Sequence, residues 1–251
     1  MKSKIPKTKP SIEMALVVRD LSYHYPDKTP GIKGISFQVR EFEKVAIVGP
    51  NGSGKSTLLT LLNGVRRGKG EITIFGLPIE DKNLTEIKKI VGLVFQNPDD
   101  QLFCQTIFED IAFGPLILGL STEEVRSRVE MALESVGLAN YGNRSSFHLS
   151  YGERKLASIA TVLSMDPQII AFDEPTSNLD LAHRRKIINW LKQNNKTILL
   201  TTHDLDMAME TCKRVILLNS GKIVADGDVN HILRDKELLE KNELELPISL
   251  Q

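Results

Sequence analysis

The chain has 251 residues, 41% of them hydrophobic and 25% charged, and its 32 Lys and Arg are balanced by 32 Asp and Glu. This composition suits a globular protein of one large domain, or a domain with a subdomain. A net charge of zero disfavours nucleic acid as a partner, because proteins that bind it are usually basic. The two cysteines, Cys104 and Cys212, lack C-x-x-C spacing, which disfavours disulfides and structural zinc and indicates a reducing cytosol.

The N-terminal segment, residues 1–12, is rich in Lys and Pro and has no apolar core. We expect it to be a disordered basic arm and not a secretory signal, with weak attraction to an anionic membrane surface as the alternative. The apolar stretch 111–120 is interrupted by Gly114, Pro115 and Gly119. Because no run approaches the ~18 apolar residues of a membrane span, we expect none.

The first part of the chain predicts mainly strands. Alternating or continuous apolar residues, bounded by Pro- and Gly-containing loops, favour the strands 15–19, 35–39, 45–48, 70–75 and 90–95. Asn97 and Pro98 then end the pattern. We expect the N-terminal strands to form an antiparallel flank of the fold.

The later part alternates helices and strands. Helical patterns extend from about 106 to 165, including one helix capped by Ser121 or Thr122 and ended by Gly137, and another that starts near Ser150. Beyond them, strands at 168–172, 197–201 and 215–218 are separated by helices near 180–193 and 204–212. This order predicts an α/β fold with a parallel sheet covered on both faces. We assign 13–230 to the domain, 97–165 to a helical subdomain within it and 231–251 to a C-terminal tail, whose charged part 236–245 is expected to be a short solvated helix or tail.

The glycine-rich segment after strand 45–48 carries the clearest chemistry. It has the spacing G-x-x-x-x-G-K-[ST] and comprises Gly49, Pro50, Asn51, Gly52, Ser53, Gly54, Lys55, Ser56 and Thr57. Such a strand-loop-helix unit turns backbone N–H groups toward an anion at a helix start. Lys55 supplies charge for the outer phosphates, and the Ser56 hydroxyl can ligate Mg²⁺. The segment predicts binding of a nucleoside triphosphate, a ligand-free glycine turn being the alternative.

Two carboxylates, Asp173 and Glu174, follow the apolar strand 168–172. In a parallel sheet the carboxyl ends of the strands share one crevice, so we expect both to face the glycine-rich loop. There Asp173 can reach Mg²⁺, and Glu174 can polarise an attacking water. An ordinary turn is the alternative for this pair taken alone.

Taken in order, these motifs resemble the nucleotide-binding ATPase subunit of an ABC transporter over about residues 14–228. The loop 49–57 resembles Walker A and 169–174 resembles Walker B, with a P-loop NTPase core implied. The remaining matches are the adenine-stacking aromatic Tyr25, the Q-loop Gln96, the signature Leu149-Ser150-Tyr151-Gly152-Glu153, the D-loop Ser177-Asn178-Leu179-Asp180 and the switch His203. Each of three matches has an ordinary structural alternative: Tyr25 as a lone surface aromatic, Ser150 as a plain helix cap and His203 as a strand-end histidine.

The resemblance implies roles for these residues. Glu174, His203 and Lys55 are implied in catalysis, and Ser56, Gln96 and Asp173 in holding Mg²⁺. Ser150 and Gly152 would contact the γ-phosphate of ATP bound to a second ATPase subunit, and Asp180 would link the two sites of this homo- or heterodimer. The signature departs from Leu-Ser-Gly-Gly-Gln at Tyr151 and Glu153, which could slow turnover or alter pairing.

The segments 94–103 and 109–121 resemble ATPases of energy-coupling-factor importers, especially those for cobalt and nickel ions. That likeness implies a peripheral protein on the cytoplasmic face of the cell membrane, with an integral membrane coupling protein and a substrate-capture protein as partners. Vitamin importers use similar ATPases, and this chain has no His and Cys cluster to select a transition metal. A soluble ABC ATPase acting on nucleic acid or ribosomes is the rival class, and a P-loop kinase or small GTPase the third. The rivals are disfavoured by the single cassette, the absence of a heptad run and the signature with its switch histidine.

Overall fold

The computed structural model describes residues 14–251, so the predicted basic arm at 1–12 lies outside the described residues. Within residues 14–251, no helix is both long and apolar enough to cross a membrane.

A four-stranded antiparallel sheet forms one flank of the protein, as the sequence predicts. Its strands lie in the order β2-β1-β4-β5 and comprise β1 (Met14–His24), β2 (Pro30–Arg40), β4 (Lys69–Ile74) and β5 (Leu77–Pro78). Alternate residues of β2 are buried, because side chains of a strand point to opposite faces and one face covers the core.

A six-stranded sheet forms the centre. Its order is β10-β9-β3-β8-β7-β6, and all neighbours pair in parallel except β10 with β9. The strands are β3 (Lys44–Val48), β6 (Val91–Val94), β7 (Ile169–Asp173), β8 (Thr197–Thr202), β9 (Arg214–Asn219) and β10 (Lys222–Asp228). Because β3, β7 and β8 run parallel side by side, the loops after them open at one sheet edge.

Nine helices of the described residues cover the sheets. They are α1 (Lys55–Leu62), α2 (Leu84–Ile90), α3 (Ile107–Ile117), α4 (Thr122–Ser135), α5 (Tyr151–Leu163), α6 (Leu181–Gln193), α7 (Leu205–Thr211), α8 (Val229–Leu233) and α9 (Lys236–Lys241). The helices α3, α4 and α5, which lie within the segment 97–165, pack together; the assignment of that segment to a subdomain stays a prediction. Ser121, and not Thr122, caps α4, and the helix buries Val125, Val129, Ala132 and Leu133.

Three elements differ from the sequence-based expectation. The strand predicted at 90–95 spans 91–94 because α2, which was not predicted, ends at Ile90. The edge strand β10 was also not predicted; four of its seven residues are exposed and its apolar pattern is weak. The charged C-terminal segment forms the short helix α9, one of the two expected forms, but it is not solvated throughout. Leu239 of α9 is fully buried in the core and Asn242 receives a hydrogen bond from the Asn219 side chain. The assigned domain boundaries remain predictions.

Candidate nucleotide site

The glycine-rich loop between β3 and α1 is shaped by its glycines. Gly54 precedes α1 with a left-handed φ of 104°. A Cβ at Gly49 would lie 2.0 Å from the backbone oxygen of Leu218, so no larger residue fits there. The loop can therefore fold closely over β9 and present the start of α1, with its free N–H groups, to an anion.

The Lys55 side chain folds back onto the backbone of this loop. Its Nζ donates to the backbone oxygens of Gly49 at 2.8 Å and Pro50 at 3.1 Å. Burial lowers the pKa of Lys55, and the nearby charges of Glu174 and Asp173 oppose that shift. The side chain is a buried cation held by two weak acceptors, which a phosphate would outcompete because charge-assisted hydrogen bonds are stronger.

Ser56 and Asp173 meet at the sheet edge. The Ser56 Oγ donates to Asp173 Oδ1 at 3.0 Å, and the Thr201 Oγ1 donates to the same carboxylate oxygen at 2.6 Å. A hydroxyl and a carboxylate are the hard oxygen donors that Mg²⁺ prefers, and Mg²⁺ usually takes one or two carboxylates together with substrate phosphates. The donor set therefore fits Mg²⁺. Gln96, the third predicted ligand, is exposed and lines the nearby cavity.

Glu174 and His203 form a pair at the ends of β7 and β8. The Glu174 Oε2 lies 2.9 Å from His203 Nδ1, and it also receives the Ser177 hydroxyl and the His203 backbone N–H, each at 3.3 Å. Glu174 is 7% exposed and has a positive φ of 45°, a backbone strain that clusters at functional sites. The contacts converge on Oε2, so Oε1 is the oxygen available to a water molecule.

Most of these groups line one cavity of about 570 Å³. Asp173 is not among its described lining residues and contacts it through Ser56. The cavity lining contains most of the predicted site, namely Tyr25, residues 49–57, Gln96, Glu174 and His203. It also contains Glu243 and Leu244 from the C-terminal segment, which the sequence analysis did not associate with the site. A charged, aperiodic segment gives no sequence signal of such a position.

Tyr25 lies at the glycine-rich loop. Its hydroxyl hydrogen-bonds to Thr57 Oγ1, and its ring packs edge-on against Tyr23 at 5.3 Å between centroids. The guanidinium of Arg66 lies 5.5 Å from the Tyr25 ring centroid. The ring is thus fixed from two sides at the rim of the cavity.

Ser150 begins the signature helix α5 with a complete capping box. Its Oγ accepts from the Glu153 N–H at 3.3 Å, while its own N–H donates to Glu153 Oε2 at 2.8 Å. Tyr141 donates its hydroxyl to the other oxygen of Glu153 at 2.8 Å. These hydrogen bonds lower the pKa of Glu153, and the bond from the Ser150 N–H contributes most. The carboxylate is therefore turned back into the cap, and the departure from glutamine preserves the helix start.

Gly152 and Asp180 are connected through His183. A Cβ at Gly152 would lie 2.4 Å from His183 Cγ, so glycine is needed for close packing. Asp180 caps α6 and its Oδ2 lies 2.7 Å from His183 Nδ1. Hydrogen bonds from His183 lower the pKa of Asp180, and the bond from the His183 backbone N–H contributes most. Ser150, Gly152 and Asp180 are not among the described residues that line the cavity.

Two buried polar residues of this region were missed from the sequence. Thr201 holds both Asp173 and the Glu174 N–H, and Lys155 of α5 is fully buried. The threonines that end the apolar strand β8 could have indicated the first, because polar residues at a parallel strand end face the crevice. No comparable pattern along the chain indicates the position of Lys155.

Comparison with known proteins gives a consistent picture. Residues 32–177 match the family model described as ABC transporter. The energy-coupling factor transporter ATP-binding protein EcfA of Carboxydothermus hydrogenoformans is 45% identical over 241 residues, 94% of this chain and 89% of that protein. The structure of cbiO1 from Clostridium perfringens, described as part of the ABC transporter complex cbiONQ, has a TM-score of 0.80 and 33% identity, covering 91% of this chain and 94% of that one.

A further solved structure is a dimer. The ATP-binding cassette MJ0796, in a post-hydrolysis state bound to ADP and Pi, has a TM-score of 0.76 and 29% identity to this chain. The alignment covers 85% of this chain and 98% of that one.

Proposed function

The chain belongs to the ABC transporter family of ATPases, and from that membership we propose that it is the ATP-hydrolysing subunit of an energy-coupling-factor importer. The observation that carries the proposal is geometric. One sheet edge brings the glycine-rich loop, Asp173, Glu174 and His203 together, whereas Ser150, at the capped start of α5, is not among the described residues that line the cavity. A second subunit is needed to bring a Ser150 to the nucleotide.

The proposed mechanism assigns each step to a side chain. Lys55 exchanges its backbone acceptors for the outer phosphates of ATP, and Tyr25 stacks on the adenine. Ser56, Asp173 and Gln96 would hold Mg²⁺, which when bound neutralises phosphate charge. Glu174 accepts a proton from the attacking water, and His203, fixed by Glu174 at 2.9 Å, orients the γ-phosphate.

The proposed active unit is a head-to-tail pair, with this chain or a related ATPase as the second subunit. In it the Ser150 hydroxyl and the N-terminal N–H groups of α5 face the γ-phosphate held by the partner, where a helix start favours an anion. The dimeric state of the related cassette bound to ADP and Pi supports this arrangement. Asp180 would transmit closure from one site to the other through His183 and Gly152.

The proposed contact with the membrane partner is an apolar surface on α3 and the loop before it, defined by Phe103, Phe113, Leu116 and Ile117. Their exposed fractions are 67%, 45%, 57% and 69%, and Phe103 packs edge-on to Phe113 at 5.0 Å. A neighbouring groove of about 580 Å³ separates this surface from α2. Contiguous exposed apolar side chains mark interaction sites in soluble domains. We propose that helices of the integral coupling protein dock here, holding the chain at the cytoplasmic membrane face.

The proposed cargo is a transition-metal ion such as cobalt or nickel, recognised by a separate capture protein. The support is the resemblance of 94–103 and 109–121 to importers of those ions. A vitamin importer is the second candidate, because the same ATPase type serves both and the cargo does not contact this chain.

The test is transport in vesicles that contain the chain with its coupling and capture proteins. We expect ATP-dependent accumulation of Co²⁺ or Ni²⁺, lost in Lys55→Ala. Vitamin accumulation in place of the metal would correct the cargo alone. If the chain hydrolysed ATP but neither bound the membrane partner nor supported any uptake, the importer proposal would be wrong.

A further inference from the structure

Lys155 of α5 is a fully buried lysine that contacts the Q-loop. Its Nζ donates to the backbone oxygens of Phe95 at 2.7 Å and Gln96 at 2.9 Å. These are two consecutive carbonyls at the point where β6 has ended. One ammonium therefore binds both carbonyls and ties this backbone to α5.

Tyr151 reaches the same carbonyl from one turn earlier on α5. Its hydroxyl lies 3.5 Å from the Gln96 backbone oxygen, at the outer limit of a hydrogen bond, so Lys155 is the stronger of the two contacts. Residues four apart share a helix face. Tyr151 is also one of the two positions at which the signature departs from its usual sequence, and the glycine found there otherwise has no side chain to make this contact.

Further contacts attach the rest of the loop to the same helix. Gln101 accepts the Phe95 N–H at 3.1 Å and donates to the Ser158 backbone oxygen at 2.7 Å. Arg154 pairs with Asp99 at 3.2 Å. The loop 95–101 therefore contacts three successive turns of α5, and the bond from Lys155 to Gln96 is one of these contacts.

We propose that Lys155, assisted by Tyr151, is a positioning residue that fixes the Gln96 backbone to the helix beginning at Ser150, so that the Q-loop and the signature move as one unit. The consequence for catalysis rests on the proposed roles of Gln96 and Ser150. If α5 moved toward the nucleotide bound by the partner subunit, Gln96 would move with it. Its position relative to the nucleotide bound by its own chain would then change, so the two sites would be coupled through this one chain.

Hydrogen exchange on the full-length, nucleotide-free protein tests the attachment directly. We expect the amides of 95–101 to exchange about ten- to hundredfold faster in Lys155→Met, the range set by loss of charged-donor hydrogen bonds. Tyr151→Phe should show a smaller increase. The matched control is Lys44→Met, because Lys44 also donates to two consecutive backbone oxygens, of Leu191 and Lys192, outside the cavity. It should leave exchange at 95–101 within about twofold of the parent.

The Mg²⁺ dependence of ATP hydrolysis is the second readout. Lys155→Met should raise the Mg²⁺ concentration for half-maximal rate in the same direction as Gln96→Ala, whereas Lys44→Met should not. If Gln96→Ala itself had no effect, the metal role of Gln96 would fail, and the exchange result would still decide the attachment. Should Lys155→Met not fold, Lys155→Gln, which keeps a donor without the charge, replaces it.

The proposal is overturned if a folded Lys155 variant exchanges at 95–101 like the parent, or no faster than Lys44→Met. It is also overturned if loop exchange rises while the Mg²⁺ dependence stays unchanged in Lys155→Met but shifts in Gln96→Ala, since the attachment would then not position Gln96.

Discussion

Replacing Glu174 by glutamine removes one proton acceptor and changes little else in the nucleotide cavity. The side chain is 7% exposed, and its known donors converge on Oε2, with His203 Nδ1 at 2.9 Å and the Ser177 hydroxyl at 3.3 Å. An amide oxygen can accept the same donors in the same place. The variant should therefore keep the fold, the position of His203 and the phosphate loop that binds ATP.

The expected loss is confined to hydrolysis. A general base contributes roughly 10²- to 10⁴-fold, equivalent to roughly 3 to 5 kcal/mol in the barrier. We expect Glu174→Gln to bind ATP within about threefold of the parent, because the amide removes a charge without removing a phosphate ligand. Phosphate release in single-turnover and steady-state assays, with equilibrium binding of labelled ATP, measures both quantities.

Glu243→Gln is the matched control, because it makes the same change at an exposed carboxylate of the same cavity. It should hydrolyse ATP within about twofold of the parent, since surface substitutions of this kind have small effects. The reasoning is refuted if Glu174→Gln retains more than a tenth of the parent rate, or if Glu243→Gln loses as much.

Three further predictions follow from other contacts. Gly152→Ala should lower the free energy of unfolding, measured in urea, by roughly 1–3 kcal/mol through overpacking, since its Cβ would lie 2.4 Å from His183 Cγ. Adding His183→Ala should recover most of that loss. No recovery in the double variant would contradict the packing argument. Tyr25→Ala should weaken ATP binding in titrations by roughly 1–3 kcal/mol through lost stacking, whereas Tyr25→Phe should not, and equal losses would disprove stacking. Burial raises the pKa of Asp204, but hydrogen bonds from Arg184 and from the Met207 N–H outweigh that effect and leave the pKa lowered. The stabilisation by ionised Asp204 is therefore present above the ordinary value of 3.8 and is lost as pH falls through the folded pKa. Urea unfolding at falling pH should give a shallower loss of stability in Asp204→Asn than in the parent, and parallel curves would contradict this.

The sequence predicted the fold where local signals and topology agree. The parallel sheet, the antiparallel flank and the helical subdomain follow from strand and helix patterns, and the helix starts at Ser121 and Ser150 from capping residues. The strand β10 and helix α2 were missed because their apolar patterns are weak, and tertiary pairing decides them. Burial of Leu239 was missed for the same reason, since a charged segment can still bury one side.

The site was predictable to the extent that the chemistry lies in contiguous motifs. The loop 49–57 and the pair after β7 are read directly from spacing, and parallel topology brings them together. Contacts between distant segments are different. These contacts depend on how helices and strands pack, which spacing along the chain does not encode. They join Lys155 to Gln96, Thr201 to Asp173 and His183 to Gly152.

In the proposed pair, each nucleotide lies between the glycine-rich loop of one subunit and the Ser150 helix start of the other. This arrangement would be visible in the structure of Glu174→Gln with ATP and Mg²⁺, alone and with a related ATPase partner if the pair is mixed. We expect the Ser150 hydroxyl of this chain to lie within hydrogen-bond distance of the γ-phosphate held by the other subunit. A closed assembly in which Ser150 is remote from every triphosphate would contradict it.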